Sequence, residues 1–438
     1  MHITIIQGMN MKKITIILFG FYLLGITAAQ SCTMFRLTMN GKTFIGNNED
    51  FSCPYTRFWV EPGDENSYGV IFFGFDNGFP QGGMNEKGLV VDGFSTPELP
   101  VQNTQGKKPF NGILMEEVLK CCSTVEEVEN LIIQYDLSHL SSAQLMFADI
   151  KGHSIIVEGD EIIHSTDTFQ ICTNFYQSQI TDESNIICQR YKTARRLLSG
   201  NPEPTIKFCT AILDSVHSER PYNKTQYSNI YDPAQGVVYL YLFHNFDEVV
   251  KIDLQQELSE GKHVTELADL FQNNELYLTY RTHYTEAEKL SNQLLMERDP
   301  EKIQQIVGTL SNNEQAKIFY GSIARKADLL LNQNKYERAM ELFRLGALLF
   351  PNSWHSWLKL GGVSYASGDY TMAVNYFKKA ISINPDSPDT WHGWRKLGDA
   401  CLQSGDKEAA IASYEKAARI NPENMDLQNR LKEIKKSE

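Results

Sequence analysis

The feature of this sequence that most restricts its fold is an internal repeat near the carboxyl end. The segment that begins WLKLG at Trp357 and ends at Pro385 recurs as WRKLG from Trp394 to Pro422. Both copies place Gly-Asp, alanine and aromatic residues at matching intervals, and 37 residues separate the two prolines. A weaker earlier copy ends at Pro351, 34 residues before Pro385. A period of this size predicts stacked helical hairpins that bury a continuous core.

The repeats resemble tetratricopeptide repeats, in which small residues let paired helices pack closely and aromatic residues fill the gaps. We therefore expect an all-α domain over residues 314–438, with a charged terminal capping helix at Met425–Lys436. Such repeats more often bind partners than catalyse, so the resemblance implies a protein partner or self-association. A helical connector is expected over 260–313, because the strand pattern disappears after about Leu254.

The amino terminus has the features of an export signal. A pair of lysines precedes the apolar run Ile14–Ala29, and small residues lie just before Cys32. The run is shorter than the ~20 residues of a membrane-spanning helix. We therefore expect residues 1–31 to be a signal peptide, the mature protein to be periplasmic or secreted, and no transmembrane anchor to remain after processing. Cleavage directly before Cys32 and cleavage after Ala29 are both compatible with these residues.

The charge balance argues against a nucleic-acid partner. The 438-residue chain has a net charge of −13 at pH 7, and no run of lysine or arginine offsets it. A protein that neutralises phosphates needs a basic face. The chain also lacks the H-E-x-x-H, C-x-x-C, P-loop and G-x-G-x-x-G motifs. We therefore expect neither a metal nor an organic cofactor.

Between the signal and the helical part, strand-like and helix-like segments occur in runs. The segments CTMFRLTM and KTFIGNNED flank Asn40-Gly41, a dipeptide typical of tight hairpin turns. Further strands are predicted in Tyr68–Phe75, Leu89–Phe94, AQLMFADI, HSIIVEGD, FQICTN, GVVYLYLFHNF and EVVKIDL. Helices are predicted over Ile113–Lys120, Val125–Gln134, Arg190–Leu198 and Ile206–Val216, with a capping box at Ser123–Glu126. These runs indicate a layered α+β domain over residues 32–259.

Cys32 is the strongest candidate for chemistry, because it begins a strand next to a processing site. If cleavage makes it residue 1 of the mature chain, its own α-amine lies within reach of its thiol. The amine has a reference pKa of ~7.7–8.0 and the thiol ~8.5, so the amine can accept the thiol proton near neutral pH without a histidine. Proteolysis would then be the activation step. A buried structural cysteine is the alternative, since cysteine often behaves as a small hydrophobe.

Such a nucleophile needs an acid to hold the amine, a donor for the oxyanion and a nearby cation. Asp50 ends the strand that pairs with Cys32 through the Asn40-Gly41 turn. Asn174 ends the FQICTN strand, and Arg190 opens the helix that follows. Each of these residues also has a structural alternative as a cap, a strand end or a surface charge. Together with Cys32 they form a catalytic hypothesis.

These segments resemble the choloylglycine hydrolase and penicillin V acylase group of N-terminal nucleophile (Ntn) hydrolases, and the related acyltransferases that make penicillins. The matching segments, in the family's order, are Cys32-Thr33, Gly46–Asp50, Gly83–Leu89, Ala148–Gly152 with Glu158, Cys172–Asn174 and Gln189–Tyr191. The resemblance covers about residues 32–254 and implies an αββα sandwich. It also implies that Cys32 is the nucleophile, with its α-amine as the base. By the same resemblance Asp50 positions the amine and thiol, Asn174 donates to the oxyanion, and Arg190 supplies a cation beside the thiol.

Two positions depart from the bile-salt hydrolases of this family. Those enzymes carry an arginine where this chain has Asn47 and an asparagine where it has Ser95. Loss of that arginine removes a fixed charge beside the nucleophile, and serine is a shorter donor in a different place. The departures argue against bile-salt specificity. Asn47 and Ser95 remain candidates for substrate binding, together with the aromatic residues Tyr55 and Trp59.

The resemblance therefore implies an exported, self-activating cysteine amidase that hydrolyses a linear, non-peptide N-acyl amide through a thioester on Cys32. An acyltransferase is the close alternative, because another amine could intercept the thioester before water does. A hypothesis from a different class is a non-catalytic envelope lipoprotein that is lipidated at Cys32 and serves as a scaffold. The expected small molecule is an N-acyl amide, and the sequence identifies neither its acyl nor its amine part.

Overall fold

The computed structural model describes residues 32–97, 101, 104–220, 223–272, 274–297, 299–310, 313–385, 390–422 and 425–436. The predicted signal peptide lies outside the described residues. The strands are β1 (Thr33–Met39), β2 (Lys42–Phe51), β3 (Thr56–Glu61), β4 (Val70–Phe75), β5 (Pro80–Asn85), β6 (Val90–Ser95), β7 (Lys108–Pro109), β8 (Tyr135–Asp136), β9 (Ala143–Ala148), β10 (Ser154–Glu158), β11 (Glu161–Ser165), β12 (Phe169–Cys172), β13 (Glu219–Arg220), β14 (Asn223–Asp232), β15 (Val237–Leu242), β16 (Asn245–Asp253) and β17 (His263–Glu266). The helices are α1 (Leu114–Cys121), α2 (Val125–Ile132), α3 (Gln189–Leu198), α4 (Ile206–Val216), α5 (Leu254–Ser259), α6 (Glu275–Met296), α7 (Pro300–Thr309), α8 (Asn313–Asn332), α9 (Tyr336–Leu349), α10 (Trp354–Ala366), α11 (Tyr370–Ile383), α12 (Trp391–Gln403), α13 (Lys407–Ile420) and α14 (Met425–Lys436).

Most of the strands form two antiparallel sheets. The first has the order β12-β1-β2-β14-β15-β16, with β13 paired to β14, and the second has the order β11-β10-β9-β6-β5-β4-β3-β17. Helices α1 and α2 pack on the outer face of the second sheet, and α3 and α4 pack on the outer face of the first. The inner faces of the two sheets share one apolar core. The predicted αββα sandwich, followed by an all-α region, is therefore confirmed.

Strand β4 shows how the sequence produces these layers. Ile71 and Phe73 contribute to the core between the sheets, whereas Val70 and Phe72 contribute to the core under α1 and α2. Successive side chains of a strand point to opposite faces, so a strand between two layers is apolar along its whole length.

The Asn40-Gly41 turn sets the register of β1 on β2. Both of its residues have positive φ, 52° and 73°, as a two-residue type I′ turn requires. Antiparallel pairing then continues without a break to Thr33 and Asn48. Cys32, one residue before Thr33, therefore lies beside Glu49. The predicted hairpin is confirmed, and it fixes which side chains of β2 face the nucleophile candidate.

Two local predictions differ from the structure. The connector expected from residue 260 was all-helical, yet β17 pairs with β3 and extends the second sheet beyond residue 259. Helix α2 also begins one residue later than the predicted capping box, since Thr124 is the N-cap that accepts the N–H of Glu127. The Glu127 carboxylate in turn accepts the N–H of Ser123 at 2.6 Å. The box is present, but shifted by one position.

Helix α6 connects the sandwich to the repeats. The hydroxyl of Tyr277 donates to the carbonyl oxygen of Pro54 at 2.9 Å, and that of Tyr280 donates to the carbonyl oxygen of Ser52 at 2.7 Å. Both acceptors belong to the segment that follows β2. The apolar core between the sheets continues through α6 and α8 to α10. Over the described ranges, no helix combines the length and the hydropathy needed to cross a membrane.

The repeat helices pack closely where the sequence places glycine. A Cβ atom built on Gly361 of α10 would lie 2.4 Å from Phe377 of α11, and one on Gly398 of α12 would lie 2.7 Å from Tyr414 of α13. In a closely packed interior the aromatic ring occupies space that a larger residue would need. These pairs of small and aromatic residues are the landmarks predicted from the repeat.

We expect Gly361→Ala to destabilise the repeats by about 1–3 kcal/mol, because the added methyl group overpacks against Phe377. Gly362→Ala is the matched control, since its added Cβ would meet no atom within 4 Å. The control should be neutral or stabilising by up to ~1 kcal/mol, because alanine favours helix over glycine. Urea denaturation followed by circular dichroism measures both variants. Equal effects would contradict the packing described for Gly361.

Candidate active site

Cys32 lies directly before β1 and is 1% exposed. Its thiol donates to Oε1 of Glu49 at 3.4 Å, and the carbonyl oxygen of Asp50 lies 4.0 Å from the same sulfur. Burial raises the pKa of the Cys32 thiol well above its ordinary value. The carboxylates of Glu49, Asp50 and Asp92 raise that pKa further. A thiol in this environment stays protonated at neutral pH, so nucleophilic chemistry here needs a base.

Asp50, the residue predicted to position the mature α-amine, is fully buried in β2. One of its carboxylate oxygens accepts the hydroxyl of Thr225 on β14, and the other has no hydrogen-bond partner. Burial raises the pKa of Asp50 to about 7, although the positive charge of Arg190 acts in the opposite direction. A buried, unpartnered carboxylate oxygen near Cys32 is a suitable acceptor for an ammonium group.

Arg190 connects Cys32 to Asn174. It is the second residue of α3, and its Nη1 donates to the carbonyl oxygen of Cys32 at 2.6 Å and to the hydroxyl of Thr33 at 2.7 Å. Its Nη2 donates to Oδ1 of Asn174 at 3.0 Å. The planar guanidinium makes these contacts together because its donors are arranged in a rigid fork. Three of the four predicted catalytic residues are therefore joined by hydrogen bonds. The positive charge of Arg190 also acts on the fourth, Asp50, and lowers its pKa against the larger effect of burial.

Asn174 lies just after β12, which neighbours β1 in the first sheet. Its Oδ1 is held by Arg190, and its Nδ2 donates to the carbonyl oxygen of Ser95 at 2.9 Å. A side-chain amide carries two N–H groups, so this contact leaves one of them to serve an oxyanion. The contact with Arg190 also fixes which end of the amide presents the donor.

Two of the four substrate-binding candidates lie close to these residues. Asn47 is 1% exposed, pairs with Met34 across β1 and β2, and has no hydrogen-bond donor for its Oδ1. Its side chain lies close enough to Glu49 to lower the pKa of that carboxyl, against the larger effect of burial. Its position two residues from Glu49 places it on the same face of β2. Ser95 contributes through its carbonyl oxygen, which holds Asn174.

The expectation that Trp59 lines the site is corrected by the structure, whereas Tyr55 packs against the core between the sheets that also contains Cys32. Trp59 stacks on Phe72 in the layer under α1 and α2, on the far side of the second sheet from Cys32. The alternation of β3 places Phe58 in the core between the sheets instead. The Tyr55 hydroxyl lies 2.8 Å from that of Thr285 in α6, so Tyr55 joins the sandwich to the helical region.

Two carboxylates near Cys32 were not predicted. Glu49 and Asp92 are 0% and 1% exposed. Burial raises the pKa of Glu49 to about 8, and it raises that of Asp92 well above its ordinary range, with the charge of Glu49 adding to the latter effect. Counting outward from the Asn40-Gly41 turn pairs residue 32 with residue 49, so the sequence contained the signal for Glu49. It contained none for Asp92, which belongs to the other sheet.

Two other groups of side chains bring three potential metal ligands together. They are His217, Glu219 and His244, and Glu257, Glu260 and His263, with ligand atoms within 4.8 Å of one another. In each group a histidine already contacts a glutamate, at 3.0 Å and at 2.8 Å. These contacts pair His217 and His263 with glutamates, whereas the buried Nε2 of His244 has no hydrogen-bond partner. Neither group includes Cys32, Asp50, Asn174 or Arg190, and we assign no metal or cofactor to the candidate active site.

The repeats match a family model. The model is the tetratricopeptide repeat, and it covers residues 354–423, where the repeat was predicted. Among curated proteins, the Protein O-mannosyl-transferase TMTC1 of Homo sapiens is 32% identical over 62 residues, which is 14% of this chain and 7% of that protein. The protein of the same name from Mus musculus is 31% identical over 62 residues, again 14% of this chain and 7% of that protein. The chain thus spans only a small part of these relatives.

Solved structures of two enzymes are similar to a larger part of the chain. A variant of the conjugated bile acid hydrolase from Clostridium perfringens has a TM-score of 0.43 and 18% identity, and the match covers 56% of this chain and 99% of that chain. Penicillin V acylase from Agrobacterium tumefaciens has a TM-score of 0.43 and 17% identity, and the match covers 54% of this chain and 90% of that chain. The fold assignment itself rests on the strand order and layers described above.

The raised pKa values of the buried carboxyls make stability depend on pH in a definite direction. Glu49 and Asp50 hold their protons up to about pH 8 and about pH 7 in the folded chain, whereas unfolded carboxyls release theirs near pH ~4. Between these limits the folded state binds more protons than the unfolded state. The free energy of unfolding therefore falls as the pH rises from about 4 to about 8.

We expect the urea midpoint of unfolding to decrease between about pH 5 and about pH 8, and Glu49→Gln to make that decrease smaller. The Gln side chain cannot ionise, so it removes one of the groups responsible. Glu126→Gln, at an exposed position of α2, is the control and should keep the wild-type slope. A midpoint that rises over this pH interval would show that these carboxyls are not held protonated.

Proposed function

We propose that the protein is an exported cysteine amidase, activated by removal of residues 1–31, that hydrolyses a linear N-acyl amide through a thioester on Cys32. The observation that carries this proposal is the pair of contacts by which Arg190 joins the Cys32 carbonyl to the Asn174 side chain. This arrangement fixes the position of the proposed nucleophile, Cys32, relative to the proposed oxyanion donor, Asn174. The buried, unpartnered oxygen of Asp50 supports the proposal, because a new α-ammonium group needs an acceptor.

In the proposed mechanism the free α-amine of Cys32 takes the proton from Sγ, and the thiolate attacks the carbonyl carbon of the substrate. Asn174 donates to the resulting oxyanion, and the α-ammonium group returns its proton to the leaving nitrogen as the C–N bond breaks. Water then attacks the thioester, gives its proton to the α-amine, and releases the acid and the thiol. Asp50 holds the amine in place through both steps.

N-terminal sequencing and intact mass of the protein exported from full-length chains test the activation step. We expect an unmodified terminus at Cys32, since only that terminus supplies the α-amine beside the thiol. A terminus at Gln30, or an added diacylglycerol mass on Cys32, would remove the proposed base. The second of these outcomes would instead support the lipoprotein hypothesis.

We expect Cys32→Ser to lower kcat/KM for any cleaved amide by about 10³-fold or more, because the nucleophile is lost. Cys209→Ser is the control, since Cys209 is also buried but lies in the core under α3 and α4. Its turnover should stay close to that of the wild type. The assay uses processed protein with bile-salt, penicillin V and N-acyl amino acid amides, and melting curves confirm that both variants fold. Unchanged turnover in Cys32→Ser would exclude the mechanism.

We expect Arg190→Lys to lower kcat by about 10²-fold with a smaller change in KM, because a lysine cannot hold both the Cys32 carbonyl and Asn174. Arg195→Lys on the same helix is the control, since Arg195 pairs with Glu183 on the surface. Steady-state kinetics separate the two constants. A rise in KM alone would assign Arg190 to substrate binding instead of positioning.

A further inference from the structure

The space between the sheets behind Cys32 contains two carboxylates from opposite sheets. Glu49 lies on β2, on the same face as Ile45, which belongs to the core between the sheets. Asp92 lies on β6 between Val90 and Phe94, which belong to the same core. Because side chains alternate along a strand, Glu49 and Asp92 both point into this layer. The charge of Asp50 raises the pKa of Glu49, and the charge of Glu49 raises the pKa of Asp92.

Neither carboxylate is compensated within the described part of the chain. No described lysine, arginine or histidine forms an ion pair with Glu49 or Asp92, and one oxygen of each lacks a hydrogen-bond partner. Burial of an unpaired charge costs several kcal/mol, so both groups keep a proton in the folded chain, as their raised pKa values indicate. A positively charged partner would favour their ionised forms, and their unpartnered oxygens could accept its N–H groups.

Further buried polar atoms around the two carboxylates are also unpartnered. Tyr227, the cross-strand partner of Glu49, is 0% exposed and its hydroxyl has no partner. Asn47 and its cross-strand partner Asn229 each have a side-chain oxygen without a donor. The side-chain oxygens of Asn47 and Asn229 are hydrogen-bond acceptors, and the hydroxyl oxygen of Tyr227 can also accept a hydrogen bond. The layer therefore offers several acceptors to a group rich in N–H donors.

Gly82 leaves space for the carboxylate of Asp92. Gly82 lies opposite Asp92 on β5, and a Cβ built on Gly82 would lie 2.5 Å from Oδ2 of Asp92 and 2.7 Å from the carbonyl oxygen of Val91. Even an alanine at this position would displace the carboxylate. The glycine therefore allows Asp92 to hold its place on the inner face of the sheet.

The carboxylates lie close to the reacting atom. Oε1 of Glu49 is 3.4 Å from Sγ of Cys32. A nucleophile must approach the carbon it attacks to ~3–3.5 Å, so a substrate positioned for attack by Cys32 also lies within reach of Glu49.

We propose that Glu49 and Asp92 form a subsite for a positively charged group of the substrate, an ammonium or a guanidinium. The inference rests on the proposed amidase function and narrows its substrate class to cationic amides. The group donates to the unpaired oxygens of Glu49 and Asp92, and Asn47, Asn229 and Tyr227 offer further acceptors around it. Its charge favours the ionised forms of the two buried carboxyls, so binding is coupled to the release of their protons.

Pairs of amides that differ only in charge test the subsite on processed protein. One series compares the para-nitroanilides of glycine, γ-aminobutyric acid and ε-aminocaproic acid with those of propionic, valeric and heptanoic acid, in which a methyl group replaces the ammonium. A second compares N-hexanoylputrescine with N-hexanoylpentylamine, which places the charge on the amine side. We expect kcat/KM for at least one cationic member to exceed that of its neutral partner by about tenfold or more.

The variants Glu49→Gln and Asp92→Asn should each reduce this ratio to within about twofold of one, since they remove a charge and keep the shape. Asp149→Asn is the matched control, because Asp149 is 1% exposed and its carboxylate holds the main chain of a turn. It should keep the wild-type ratio. Equal turnover of charged and neutral partners in the wild type would overturn the subsite and leave the amidase function standing.

A measurement that needs no turnover separates the two proposals. The rate of alkylation of Cys32 by iodoacetamide, followed by mass spectrometry, is compared in the presence of butylammonium and of butan-1-ol at equal concentration. We expect butylammonium to slow alkylation about fivefold or more, and Glu49→Gln to abolish this protection. Protection without cleavage of any amide would support the cation subsite and reject the proposed reaction. Equal alkylation rates would overturn the subsite, whether or not an amide is cleaved.

Discussion

The register of the β1–β2 hairpin is the constraint on which the candidate site depends. Side chains alternate along a strand, so a slip of one residue would exchange the two faces of β2. Glu49 would then leave the layer between the sheets and Asp50 would enter it. The two-residue Asn40-Gly41 turn leaves no room for such a slip, and β12 and β14 hold the hairpin between them. Local turn chemistry thus determines the electrostatic environment of Cys32.

The same alternation separates the charges around Cys32. Arg190 approaches from the α3 layer and contacts main-chain and side-chain oxygens, whereas Glu49 and Asp92 lie between the sheets. Under the proposed function the helical side of the first sheet would orient the catalytic groups, and the inner side would meet the substrate. One strand end can serve both purposes because the side chains on its two faces point into different layers of the sandwich.

Local patterns in the sequence predicted the hairpin, helices α1 to α4 and the repeats, since each depends on turn residues or on a period that neighbours along the chain reveal. Strand β14 was not predicted from the sequence, because its polar residues give no sign that the strand is buried. Thr225 and Ser228 are fully buried, and their hydroxyls donate to the side chains of Asp50 and Asn48 on β2. Only pairing between distant strands makes such residues suitable for a core. Trp59 was placed wrongly for a related reason, since the facing of β3 follows from its partners in the sheet.

Helix α6, in the carboxyl-terminal half of the chain, helps to hold a segment of the sandwich in place. Tyr277 and Tyr280 donate to the carbonyl oxygens of Pro54 and Ser52, in the segment that leaves β2 shortly after Asp50. Buried carbonyls that lost these donors would carry an energetic penalty of about 1–3 kcal/mol each. The sandwich is therefore not a freely interchangeable module. A chimaera that joined it to another helical domain would have to supply equivalent donors at the same two points.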